Sequence, residues 1–103
     1  MTQAKLGILA HLEAKPEKVQ EVEDFLKGAL PMALQEADTN TWFAIRLGPT
    51  TFGIFDTFPH EDARQAHLSG KIAKALFSQA DELLASPPDI KQIEILVSKL
   101  PQI

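Results

Sequence analysis

The 103-residue chain has no cysteine and no tyrosine. Without thiols there is no disulfide framework, no thiolate nucleophile and no thiolate metal site, which fits a reducing compartment and makes the cytoplasm the expected location. Five glycines, at positions 7, 28, 48, 53 and 70, match neither the dinucleotide fingerprint nor the phosphate-binding loop, so no nucleotide cofactor of those folds is expected. Basic residues form no run. Ten Lys and Arg against fourteen Asp and Glu leave a formal charge of −4, which argues against electrostatic binding to nucleic acid. No apolar segment approaches the roughly 20 residues that cross a bilayer, and Met1–Leu6 lacks the apolar stretch of a secretory signal, so no membrane partner is expected. The three histidines, His11, His60 and His67, have no pair at the spacing of a zinc-binding helix, and no metal is expected.

What is present is a folding chain. Forty-five percent hydrophobic residues against 23% charged suit a globular core, and the length suits one domain over residues 1–103. Leu6–Leu12 is an apolar run of strand length closed by Lys15-Pro16. From Glu17 the period changes: Val19, Val22, Leu26, Ala29, Leu30 and Ala33 recur at three- and four-residue spacing and predict an amphipathic helix ending near Gln35, with a kink where Pro31 crowds the carbonyl of Lys27. Thr41–Leu47 and Thr51–Phe58 are rich in β-branched and aromatic residues and flank Gly48-Pro49-Thr50, which predicts a hairpin. Pro59-His60-Glu61-Asp62 opens a second helical region, interrupted at Ser69-Gly70 and resumed from Ile72 to Leu84. A last strand is expected from Ile90 to Val97.

That order, βαββαβ, is the ferredoxin-like arrangement of the α+β class: a four-stranded antiparallel sheet with its helices on one face. The other face should then read polar, yet it does not. Trp42 and Ala44 point opposite to Phe43 and Ile45, and Phe52, Ile54 and Phe58 point opposite to Gly53 and Phe55, so both faces carry large apolar side chains. A second copy of the chain covering the outer face would form a dimeric α+β barrel.

Asp56 stands alone among apolar neighbours on the third strand, and His67 follows eleven residues later on the next helix. A helix folding back over its strand brings such residues within reach, where a carboxylate orients an imidazole and raises its basicity. The plainer alternative is a capping Asp56 and a packed His67. Trp42, Phe55 and Phe77 are candidate walls for a small aromatic ligand, or simply core, and Leu9 and His11 would lie at the pocket floor if their face is toward the helices. Arg46 would clamp an anion, or pair with Asp56 or Glu94 across the sheet.

Asp56-Thr57-Phe58, eight residues, then His67-Leu68-Ser69 resembles the acidic, any, aromatic, spacer, His-Leu pattern of the antibiotic biosynthesis monooxygenase family. Trp42–Pro49 followed by Phe52–Asp56 is similar to a subgroup of small bacterial members. The resemblance spans nearly the whole chain. It implies a dimeric α+β barrel whose two sheets pack face to face. It also implies a cofactor-independent monooxygenase acting on a phenol or hydroquinone, with His67 as base, Asp56 orienting it and Trp42 as a pocket wall. The first strand has no Asn, the chain has no Tyr, and Ile72 stands where many relatives carry a second His. Those departures weigh against haem degradation and leave a non-catalytic small-molecule-binding or stress-response barrel as the alternative.

Overall fold

A computed structural model describes residues 4–101; Met1–Gln3 and residues 102–103 of the expected 1–103 domain lie outside the described residues. Four strands, β1 (Leu6–Glu13), β2 (Thr41–Arg46), β3 (Thr51–Phe58) and β4 (Asp89–Glu94), form one antiparallel sheet in the order β2-β3-β1-β4. Helices α1 (Val19–Gly28) and α2 (Leu30–Leu34) link β1 to β2, after a single 3-10 turn at Pro16–Lys18. Helices α3 (Glu61–Leu68) and α4 (Lys71–Leu83) link β3 to β4. This is the expected ferredoxin-like fold.

Pro31 acts two residues earlier than the ring alone suggests. The chain breaks at Ala29, and Pro31 falls in the first turn of α2, where its missing N–H leaves no bond unmade. β4 is shorter than expected. Among the described residues its neighbour is β1, whose first residue Leu6 pairs with Glu94; one further bond runs from Ile95 N–H to the Lys5 carbonyl. Leu96 and Val97 beyond it are exposed among the described residues.

The pairing of β1 with β3 runs unbroken from Leu6↔Phe58 to Glu13↔Thr51, so no bulge at Gly53 reverses the alternation. Gly53 is needed for a different reason: a Cβ there would stand 3.0 Å from the Ala10 carbonyl oxygen. Ile8, Ala10, Leu12, Phe52, Ile54 and Phe58 are buried on the helix face, beneath Val22, Leu26, Ile72 and Leu76. Leu12 and Phe58 reach zero exposure, and full burial of such side chains stabilises the fold by roughly 1.5–3 kcal/mol each. The opposite face carries the cross-strand row Phe43, Phe55, Leu9 and Lys91. Phe43 and Phe55 stack there with ring centroids 6.4 Å apart.

Candidate functional site

Strand alternation aims Asp56 at the helices, and pairing places it between Trp42 of β2 and Ile8 of β1. It is wholly buried. The chain then turns at Pro59, and His60 caps α3 by accepting the Ala63 N–H at Nδ1, 3.2 Å away. Glu61 and Asp62 in the first turn and His67 in the last complement the helix dipole. One turn before His67, the buried Arg64 donates to the carbonyls of Gly7 (3.3 Å) and Ile93 (3.0 Å) and pairs with Glu61. Arg64 thus ties α3 to β1 and β4 and fixes the depth at which His67 meets the sheet.

His67 Nε2 lies 2.8 Å from Asp56 Oδ2, and His67 Nδ1 lies 2.6 Å from Glu36 Oε1. Glu36 comes from the turn after α2 and also accepts from Thr39 Oγ1 at 2.8 Å. The imidazole lies against Phe58, the two rings tilted by 44° with centroids 5.2 Å apart. A carboxylate oxygen close to each ring nitrogen favours the imidazolium, which carries a proton on both. Burial works against that charge, but the hydrogen bond and charge of Asp56, followed by those of Glu36, outweigh it and raise the His67 pKa above its ordinary 6.5. Burial likewise raises the Asp56 carboxyl above its ordinary 3.8, opposed by the His67 contact and charge and helped by the nearby Glu36 charge.

Three buried polar atoms at this place have no aligned hydrogen-bond partner among the described residues: Trp42 Nε1 and both carboxylate oxygens of Asp56, the 2.8 Å approach of His67 Nε2 to Oδ2 being a close ion-pair contact. An apolar cavity of about 40 Å³ opens beside Asp56 and His67, walled by Ile54, Ile72, Leu76 and Phe77. On the other side of the imidazole a larger cleft, about 310 Å³, is lined by Glu36, Asp38, Thr39, His67 and Lys71.

The fold therefore joins Asp56 and His67, and Phe77 lines the cavity beside them; Trp42, expected as a pocket wall, pairs with Asp56 across β2 and β3 but packs against the hydrophobic core instead of lining that cavity. Phe55, Leu9 and His11 are on the opposite face, because odd-numbered residues of β1 and β3 point away from the helices. Arg46 pairs neither with Asp56 nor with Glu94. It donates to Glu23 at 2.9 Å and lies 4.7 Å above the Phe52 ring, because α1 brings Glu23 within reach of the end of β2. Glu36 and Arg64 escaped the sequence reading. Each sits in a polar stretch, Gln35–Asn40 or His60–Gln65, that reads as solvated surface, and no local pattern marks either side chain as turned inward.

Among the described residues no group of three or more His, Asp or Glu side chains is arranged to hold a metal ion, since His67 turns a different nitrogen to each carboxylate. No described helix is long and apolar enough to cross a membrane.

No family model matches the chain, and no curated protein matches it. Among solved structures, a protein of unknown function from Nitrosomonas europaea is 49% identical, with 99% of each chain covered and a TM-score of 0.95. The chain belongs to the family of that protein. Proteins assigned to the antibiotic biosynthesis monooxygenases share its fold: one from Caulobacter crescentus is 20% identical over 93% of each chain with a TM-score of 0.77. Another, from Nitrosomonas europaea, is 12% identical over 93% of this chain and 95% of its own, with a TM-score of 0.79.

Proposed function

We propose that this protein is a cofactor-independent monooxygenase of a phenol or hydroquinone, working as a homodimer in the cytoplasm. The observation that carries the reading is the buried Asp56–His67 pair, with a free carboxylate oxygen, at the wall of an apolar cavity. Both nitrogens of His67 face carboxylates, and of the two Asp56 oxygens Oδ1 is the one that His67 does not approach. Asp56 thus takes the role of proton acceptor that the sequence reading gave to His67, and His67 becomes the cation that positions Asp56 and balances developing negative charge.

The steps balance without an external reductant. The phenolic O–H breaks and its proton goes to Asp56 Oδ1. The phenolate gives one electron to dioxygen, and the resulting radical and superoxide join at a ring carbon. Asp56 returns its proton to the peroxide, the O–O bond breaks as that carbon loses its hydrogen, and water leaves a quinone. Apolar walls of Ile54, Ile72, Leu76 and Phe77 limit competing protonation. The partner copy would cover the outer face, where Phe43 is 52% and Leu9 37% exposed.

A second reading, binding without turnover, draws on the cavity's size. Forty Å³ holds little more than one or two waters, far below the ~300–1,000 Å³ of ordinary ligand pockets. Dissolved-oxygen consumption with a panel of hydroquinones and anthrones, metal chelated, separates the two. Uptake that is lost in His67→Ala supports the oxygenase; no uptake by the wild type, with a small molecule copurifying, supports the binding protein.

A further inference from the structure

His67 stands between two environments of opposite character. On its Nε2 side are Asp56, with no exposed side-chain surface, and the small apolar cavity. On its Nδ1 side are Glu36, whose side chain is 22% exposed, and the open cleft of about 310 Å³. The three groups form one line of graded exposure from 0% at Asp56 through 9% at His67 to 22% at Glu36. Thr39 Oγ1 donates to the same Glu36 oxygen that faces the ring, which fixes that carboxylate in place.

A buried acid–base pair must exchange protons with water somewhere, and admitting water to the apolar side would defeat the dryness that side provides. We propose that Glu36 is the proton port of the buried pair: its carboxylate carries protons between His67 Nδ1 and water in the open cleft. In one outward transfer the Nδ1–H bond breaks and an O–H bond forms on Glu36 Oε1. The ring is left neutral, with its Nε2–H still on Asp56. The glutamic acid then loses the proton to cleft water and is a carboxylate again; the reverse steps reload the ring. Asp38 and Lys71 line the same cleft, so charge of both signs stands near the exit. Neither is within salt-bridge distance of Glu36 or His67.

This role rests on reading Asp56 and His67 as the site's acid–base pair, yet proton exchange at His67 is measurable without turnover. The test uses the full chain with ¹⁵N-labelled histidine and follows exchange of the two His67 ring protons with water by NMR. In the wild type the Nδ1 proton exchanges faster than the Nε2 proton. Glu36→Gln keeps an oxygen acceptor but cannot take a proton, and slows Nδ1 exchange by about tenfold or more. Glu36→Asp retains a carboxylate and restores much of the rate. Equal exchange at both nitrogens in the wild type, or an unchanged Nδ1 rate in Glu36→Gln, overturns the port. The first comparison needs no variant and so does not depend on the folding of Glu36→Gln. Where a phenol is turned over, Glu36→Gln lowers kcat more than it changes KM. If no substrate consumes oxygen, the oxygenase reading fails, while the exchange rates still decide the port.

Discussion

Asp56 and His67, eleven residues apart in sequence, meet with Oδ2 and Nε2 at 2.8 Å because β3 ends two residues after Asp56 and α3 folds straight back over it. The turn at Pro59 and the His60 cap set where α3 starts, and two helical turns then carry the chain to His67. Arg64 holds the helix down by its bonds to Gly7 and Ile93. The pair is thus a product of the hairpin end, the cap and one buried arginine.

The charge on this pair makes stability depend on pH with a definite sign. The folded-state pKa of His67 is raised, so its contribution is fully present below its ordinary 6.5 and is lost as pH rises through the folded value. Asp56 is also raised, and its contribution declines in the same direction from its ordinary 3.8 upward. Urea unfolding above pH 6.5 is therefore expected to show falling stability, and His67→Gln to flatten that fall. An equal slope in the variant would remove His67 from the explanation. Glu13, Glu23 and Glu61 act oppositely: hydrogen bonds from Thr50, Lys27 and Arg64, respectively, are the chief causes of their lowered pKa values, so their contributions are lost as pH falls below the ordinary 4.5.

Removing the carboxylate partner should be visible at the imidazole itself. In Asp56→Asn the hydrogen bond and charge that raise the His67 pKa most are gone, and its NMR titration midpoint is expected to move down. A midpoint that stays put would mean that Glu36 alone holds the ring charged.

Arg64 is expected to be structural. Arg64→Met removes the guanidinium bonds that the Gly7 and Ile93 carbonyls accept beside their β1–β4 ladder bonds, and lowers stability by about 1.5–3 kcal/mol, the usual range for hydrogen bonds to a charged group. Urea midpoints check this. A loss well under about 0.5 kcal/mol, as at an ordinary surface site, would show that α3 is held down by its packing alone.

The outer face carries its own prediction. Phe43→Asp puts a charge on the stacked Phe43–Phe55 pair, and sedimentation is expected to change from dimer to monomer with the far-ultraviolet dichroism unchanged. A wild-type chain that sediments as a monomer at micromolar concentration contradicts the two-fold barrel.

Much of this was legible in the chain because its signals are local. Alternation in Thr41–Arg46 and Thr51–Phe58 assigned both sheet faces, and an isolated Asp in an apolar strand followed by a His on the returning helix marked the pair. Glu36 and Arg64 were not legible. Their partners lie 31 residues away for Glu36 with His67, and 57 and 29 residues away for Arg64 with Gly7 and Ile93, so only tertiary contact distinguishes them from solvated neighbours. The end of β4 was missed for a similar reason: Ile95, Leu96 and Val97 have strand composition, but among the described residues the pairing with β1 ends at Leu6↔Glu94 and one further bond at Ile95. Leu9, His11 and Phe55 depended on which face the helices cover, a matter settled by the parity of Asp56.

The role of Asp56 is decided most directly by oxygen consumption of wild type and Asp56→Asn on the best phenol or hydroquinone of the panel, with folding of both verified by dichroism. With Asp56 as proton acceptor, kcat is expected to fall in the variant by roughly 10²–10⁴-fold, the range for removing a general acid–base group. Wild-type turnover in Asp56→Asn would contradict that role and send the search for the proton acceptor elsewhere in the molecule.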